Sequence, residues 1–104
     1  MRHVVVRYEV KPECVEEHER LIRDVFEELG ANAPEGFAYQ VLKPEDGVSF
    51  IHVAELVSAD NPLQRLGAFK KFTADVESRT VSRPASCTAT EIGSYAPRGA
   101  GLGP

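Results

Sequence analysis

VSFIHVAELV, residues Val48–Val57, is strand-like sequence with one histidine, His52, at its middle. Alternation puts Val48, Phe50, His52, Ala54 and Leu56 on one face, and Ser49, Ile51, Val53, Glu55 and Val57 on the other. Both sets are mainly apolar. A strand with one wet face would alternate apolar with polar. This strand is therefore expected to be covered on both sides, and the fold must supply two covers.

Upstream, KPEDG (Lys43–Gly47) is turn chemistry, because Pro44 presets φ and Gly47 can take φ > 0. Before it, Phe37–Leu42 reads as a second strand, so the pair forms an antiparallel hairpin. The N-terminal stretch HVVVRYEV, residues 3–10, alternates as a strand, with Val4, Val6, Tyr8 and Val10 on one face and His3, Val5, Arg7 and Glu9 on the other. Between these strands, Val15, His18, Leu21, Ile22, Val25, Phe26 and Leu29 recur at helical spacing. Pro12 suits the first turn of that helix, and Gly30 is the expected stop, giving residues 12–29. Asp60 or Asn61 caps a second helix over 62–79, whose stripe is Leu63, Leu66, Phe69, Phe72 and Val76. Cys87–Tyr95 reads as strand four.

The order is βαββαβ, the ferredoxin-like plan: a four-stranded antiparallel sheet with both helices on one face, hence α+β. Two helices cover one face only. Val5, Ile51 and Val53 on the other need a different cover, and a second copy of the same sheet about a two-fold axis is the economical one. A homodimer is the expectation, with Arg7, Glu9 and Glu55 toward its rim.

The 104 residues fit one domain, expected over 1–95, followed by a flexible Gly/Pro-rich tail at 96–104. With a formal net charge of −4 and scattered basic residues, nucleic acid is not an expected partner. No apolar run is long enough to span a membrane, and no signal-peptide core opens the chain, so a cytoplasmic protein is expected. Cys14 and Cys87 lie in no metal-ligand spacing. Neither a metal nor another cofactor is expected, and Cys87 reads as a small buried apolar residue.

The βαββαβ order, the two-sided central strand, Phe69 and Phe72 in helix two, the start VVVRYEVKPECVEEHERLI, the HVAE of strand three and the closing TEIGSY together resemble one family. It is the antibiotic-biosynthesis monooxygenase (ABM) family of the dimeric α+β barrels, and the resemblance covers roughly residues 2–95. It implies a homodimer whose sheets face each other, and a small apolar pocket in each subunit between the sheet and its own helices. It implies a cofactor-independent monooxygenase acting on a small aromatic phenol or quinol, in which the substrate supplies the electrons for O₂. The haem-degrading members use a histidine late in helix two, a strand-one asparagine and a tryptophan. Here helix two has no histidine, Val6 stands at the asparagine's place and the chain has no tryptophan, so haem degradation is rejected. The alternative is a noncatalytic dimeric barrel that binds a small apolar ligand or serves as an assembly subunit.

Within that pocket the candidate catalytic residues are His52 and Tyr39. A neutral imidazole accepts a proton near pH 7, so His52 is the candidate acceptor for a phenolic hydroxyl. A lone histidine on an apolar face is more often a packed group with a satisfied hydrogen bond. If Pro44–Gly47 form the loop, Val41 pairs with Phe50 and Tyr39 with His52. A loop one residue shorter puts Gln40 on the face of His52 instead, since a one-residue slip flips every side chain. The Tyr39 register also keeps Phe37 and Val41 buried. Tyr8, Phe50, Phe69 and Phe72 are the candidate substrate-binding residues, the phenylalanines being first of all core. His18, among Glu16, Glu17 and Glu19, is expected to be partly exposed.

Overall fold

Alternating β-branched residues open the chain and form β1, Arg2–Glu9. The computed structural model describes residues 2–96, so the expected tail lies, apart from Ala96, outside the described residues. A 3-10 turn at Pro12–Cys14 leads into α1, Val15–Asn32, with Glu16 and Glu17 in its first turn, where carboxylates complement the helix dipole. The helix runs past Gly30 because the left-handed cap is taken by Ala33, at φ 42° and ψ 56°, whose N–H reaches the Leu29 carbonyl at 2.8 Å. That conformation costs a residue with a Cβ about 1 kcal/mol or more. Ala33→Gly is therefore expected to raise the unfolding free energy by roughly 0.5–1 kcal/mol, read by urea denaturation.

β2, Phe37–Leu42, and β3, Ser49–Leu56, follow as the expected hairpin. Their register differs from expectation by two residues: Val41 lies opposite His52, and Tyr39 opposite Ala54. Asp46 is the cause. Its carboxylate accepts from Val48 N (3.0 Å), Ser49 N (2.9 Å) and Ser49 Oγ (2.6 Å), which widens the turn. These bonds hold the Asp46 carboxyl below the usual range. A slip of two preserves the faces, so Tyr39 still shares the face of His52, as a diagonal neighbour.

The expected second helix is broken into three. A 3-10 turn at Pro62–Arg65 is capped by Asn61 Oδ1, which accepts from Leu63 N at 3.0 Å. Leu66 is then extended, and α2 runs Gly67–Ala74 before a break at Asp75 and the short α3, Val76–Arg79. The break sends both Leu63 and Leu66 into the core beside Leu21, Val25 and Phe72. Glu28 of α1 ties the two helices together by accepting from Ala68 N at 2.8 Å at the start of α2.

β4 spans Ala85–Ala89 and not residues 87–95. Ala89 already lies opposite His3, so β1 has almost no chain left to pair with anything further on. Ile92 and Tyr95 are consequently 95% and 88% exposed. The sheet order is β2-β3-β1-β4, all antiparallel, with α1 and α2 on one face: the ferredoxin-like α+β fold. Phe50, His52, Ala54 and Leu56 are buried beneath the helices, while Ile51, Val53 and Val5 on the outer face are half-buried. Cys87 lies opposite Val5 on the edge strand and is exposed, contrary to expectation, because nothing in the chain covers that face. No helix among the described residues is long and apolar enough to cross a membrane.

Candidate functional site

Strand alternation aims Tyr8 of β1, Tyr39 of β2 and His52 of β3 at the same space under the helices. Their polar atoms meet. Tyr39 Oη lies 2.6 Å from His52 Nδ1, and His52 Nε2 lies 2.6 Å from Tyr8 Oη. The chain continues into the helical layer. Tyr8 Oη also lies 2.6 Å from His18 Nε2 on α1, and Arg79 Nε on α3 donates to His18 Nδ1 at 3.1 Å. Five side chains from five elements thus form one hydrogen-bonded line. Arg79 is fixed further by donating to the Phe72 carbonyl at 2.6 Å and by resting 5.4 Å from the Phe72 ring centroid.

Aromatic rings hold the line in place. Phe26 stacks on Tyr39 with centroids 5.1 Å apart, and Phe50 and Phe72 flank His18 at 4.8 and 5.0 Å. His18 is fully buried and Arg79 is 3% exposed. The expectation of a partly exposed His18 is corrected on that ground: position 18 continues the apolar stripe between Val15 and Leu21, and its glutamate neighbours point elsewhere. Among the described residues no carboxylate lies within ion-pair distance of Arg79, which leaves a buried cation matched only by neutral acceptors.

Burial sets the protonation states. His52 is pushed down to about 4 by desolvation. His18 is also pushed down to about 4, by desolvation first and then by the charges of Arg79 and His52. Both imidazoles are neutral at pH 7. The phenols of Tyr8 and Tyr39 are raised above their ordinary value, mainly by burial, so both remain protonated.

A cavity of about 290 Å³ opens against this line, with Tyr8, Tyr39, His52, Phe69 and Phe72 on its wall, Val4, Val6, Ala54 and Leu63 making most of the rest apolar, and Asn61, Thr73 and Ser86 adding neutral polar groups. Five of the six residues expected at the site are thus brought together. Phe50 is not on the wall. It is buried behind Tyr8, its ring 5.9 Å from the tyrosine's, and acts as a backstop. His52 differs from expectation in one respect: both its ring nitrogens are occupied by tyrosine hydroxyls, so a hydroxyl in the cavity meets the imidazole through Tyr39. His18 and Arg79 were missed. The signal for Arg79 was its spacing, since Phe72, Val76 and Arg79 follow at i, i+4 and i+7 and share one helical face.

A depression of about 710 Å³ near His3 and Glu91 touches none of this line, and one of about 410 Å³ between α1 and β2 touches it only at Tyr39. On the outer face His3 Nε2 lies 3.0 Å from Glu55 and 3.7 Å from Glu91, a convergence that metal ions use elsewhere. All three side chains are at least partly exposed and His3 Nε2 already has a hydrogen-bond partner in Glu55, so no metal role is assigned to the group.

No family model matches the sequence, and no curated protein matches it. Solved structures do. An antibiotic biosynthesis monooxygenase superposes with a TM-score of 0.71 at 15% identity, over 89% of this chain and all of its own. Rv0793 from Mycobacterium tuberculosis gives 0.74 at 14% identity, over 91% of this chain and 98% of its own. A variant of SnoaB, a cofactor-independent oxygenase from Streptomyces nogalater, gives 0.67 at 14% identity, over 89% and 94%. The chain therefore has the ABM-like fold over almost its whole described length.

Proposed function

We propose that this protein is a cofactor-independent monooxygenase of a small phenol or quinol, working in the cytoplasm as a homodimer. The observation that carries the reading is the Tyr39–His52–Tyr8 line on the wall of a mainly apolar cavity that holds no charged side chain. A cavity of about 150 Å³ holds benzene, so 290 Å³ suits a substituted ring or two fused rings. The ring lies between Phe69, Phe72 and the sheet. Its hydroxyl meets the Tyr39 hydroxyl, which His52 backs. Tyr39 and His52 are the catalytic pair, and Tyr8, Phe69 and Phe72 hold the ring. The phenol loses its proton to solvent and is held as the phenolate by the Tyr39 hydroxyl; the ionised ring gives up an electron to O₂ more readily than a neutral one. In the balanced reaction a phenol and O₂ yield a quinone and water, with one oxygen atom in the new C–O bond and every electron drawn from the ring. The test is O₂ uptake against a panel of one- and two-ring phenols and quinols, with quinone formed one for one. A complete lack of uptake would leave the second reading, a noncatalytic barrel, which is favoured by the absence of any unsatisfied buried side-chain atom among the described residues.

The dimer reading rests on the outer face. Val5, Ile51 and Val53 form a half-buried apolar patch there, and Ile92 and Tyr95 add apolar surface beyond the sheet edge. Obligate interfaces bury about 2,000 Å² or more. Ile51→Asp is expected to give monomer or aggregate in sedimentation, and a wild-type monomer at micromolar concentration would refute the dimer.

A further inference from the structure

A guanidinium donates hydrogen bonds and never accepts them. Since Arg79 Nε donates to His18 Nδ1 at 3.1 Å, that nitrogen must offer its lone pair. Neutral His18 then carries its proton on Nε2, which faces Tyr8 Oη at 2.6 Å. The Tyr8 oxygen accepts there and gives its own proton to His52 Nε2, also at 2.6 Å. His52 in turn carries its proton on Nδ1 and donates to Tyr39 Oη at 2.6 Å. His18 makes Tyr8 Oη an acceptor, and Tyr8 gives its one proton to His52 Nε2, the only other group the structure places in hydrogen-bond reach of it among the described residues, which fixes the sense of the bonds beyond. The opposite sense would set an N–H of His18 against the N–H of Arg79, and a doubly protonated His18 would set two cations together. The proton of Tyr39 itself has no acceptor among the described residues, and Tyr39 borders the cavity.

We propose that Arg79 is a positioning residue that sets the direction of the whole chain, so that Tyr39 presents a donor to the cavity and the site takes ligands through an oxygen acceptor, best an ionised phenol or enol. The ligand half rests on the functional reading above; the direction of the chain does not. The charge balance agrees with it. Facing the ligand are Tyr8 from β1, Tyr39 from β2 and His52 from β3, with His18 of α1 and Arg79 of α3 behind them. No Asp, Glu, Lys or Arg borders the cavity. Of the two carboxylates next to His18 in sequence, Glu19 is engaged by Lys43 at 2.6 Å and Glu17 lies 3.8 Å from Arg20. The nearest full charge behind the line is therefore the Arg79 cation, which favours an anion at its far end.

Nitrogen NMR of the two imidazoles at pH 7 tests the direction on the wild-type protein. The expected tautomers are Nε2–H for His18 and Nδ1–H for His52, the latter the rarer form in water. A proton on His52 Nε2 or on His18 Nδ1 would overturn the proposal. In the Arg79→Met protein His52 should populate both tautomers; if that variant does not fold, Arg79→Lys, which lacks the fixed fork, should show the same mixing to a smaller degree. The ligand half is read with 4-nitrophenol, whose bound form should ionise about one pH unit or more below its value in water, roughly a tenfold effect. Ionisation at higher pH than in water would overturn that half. Failure of 4-nitrophenol to bind, with the tautomers as expected, would remove the phenol reading and leave the directed chain standing.

Discussion

His52→Gln is expected to lower kcat/KM for a phenolic substrate by roughly 10²-fold or more, the usual scale for losing a group that handles a proton. Glutamine keeps a polar head near the two tyrosine hydroxyls, so the fold survives. It cannot hold both hydroxyls with the spacing of a ring, and it cannot pass a proton between them. His52→Ala should lose as much activity and more stability. It empties the centre of the line and leaves two buried hydroxyls short of a partner, each worth about 1–3 kcal/mol. Steady-state kinetics beside urea denaturation separates the roles. If His52 only packs, both variants will shift the denaturation midpoint and leave turnover nearly intact.

Stability should fall steeply in mild acid. His18 and His52 each titrate near 4 in the folded protein, against an ordinary value of 6.5. The unfolded chain therefore takes up protons first as pH drops. The stabilising contribution is fully present above about 6.5, declines below it and is gone once pH passes below about 4. At about 1.4 kcal/mol per pH unit, each histidine contributes up to about 3 kcal/mol, a large share of the total for a domain of this size. Urea denaturation at pH 7.0 and 4.5 reads the loss, and His52→Gln should remove about half of it. A midpoint unchanged between those pH values would mean that neither imidazole is held neutral by burial.

Much of this was legible in the sequence, for reasons that differ by element. The two apolar faces of VSFIHVAELV follow from strand period alone, and they placed His52 under the helices. Tyr39 followed because a two-residue slip leaves faces unchanged. The slip itself was not legible, since it depends on three hydrogen bonds to Asp46 that turn propensities do not encode. Strand four was read too long because TEIGSY has strand-like residues, whereas a strand ends where its neighbour ends, here opposite His3. Helix two was read as one element because its apolar spacing bridges the break at Leu66. His18 and Arg79 were hidden by their types. A histidine among glutamates and an arginine after a serine look like surface, and only the stripe positions they occupy say otherwise.

The central claim is that Tyr39 meets the substrate's oxygen and makes it a donor of electrons to O₂. Tyr39→Phe removes one oxygen atom and keeps the ring stacked on Phe26. The decisive measurement is O₂ uptake by wild type and Tyr39→Phe side by side, on the best substrate of the phenol panel. The account predicts uptake matched by quinone in wild type and reduced about 10²-fold or more in the variant, with the substrate still bound. Equal uptake by the two proteins would contradict it.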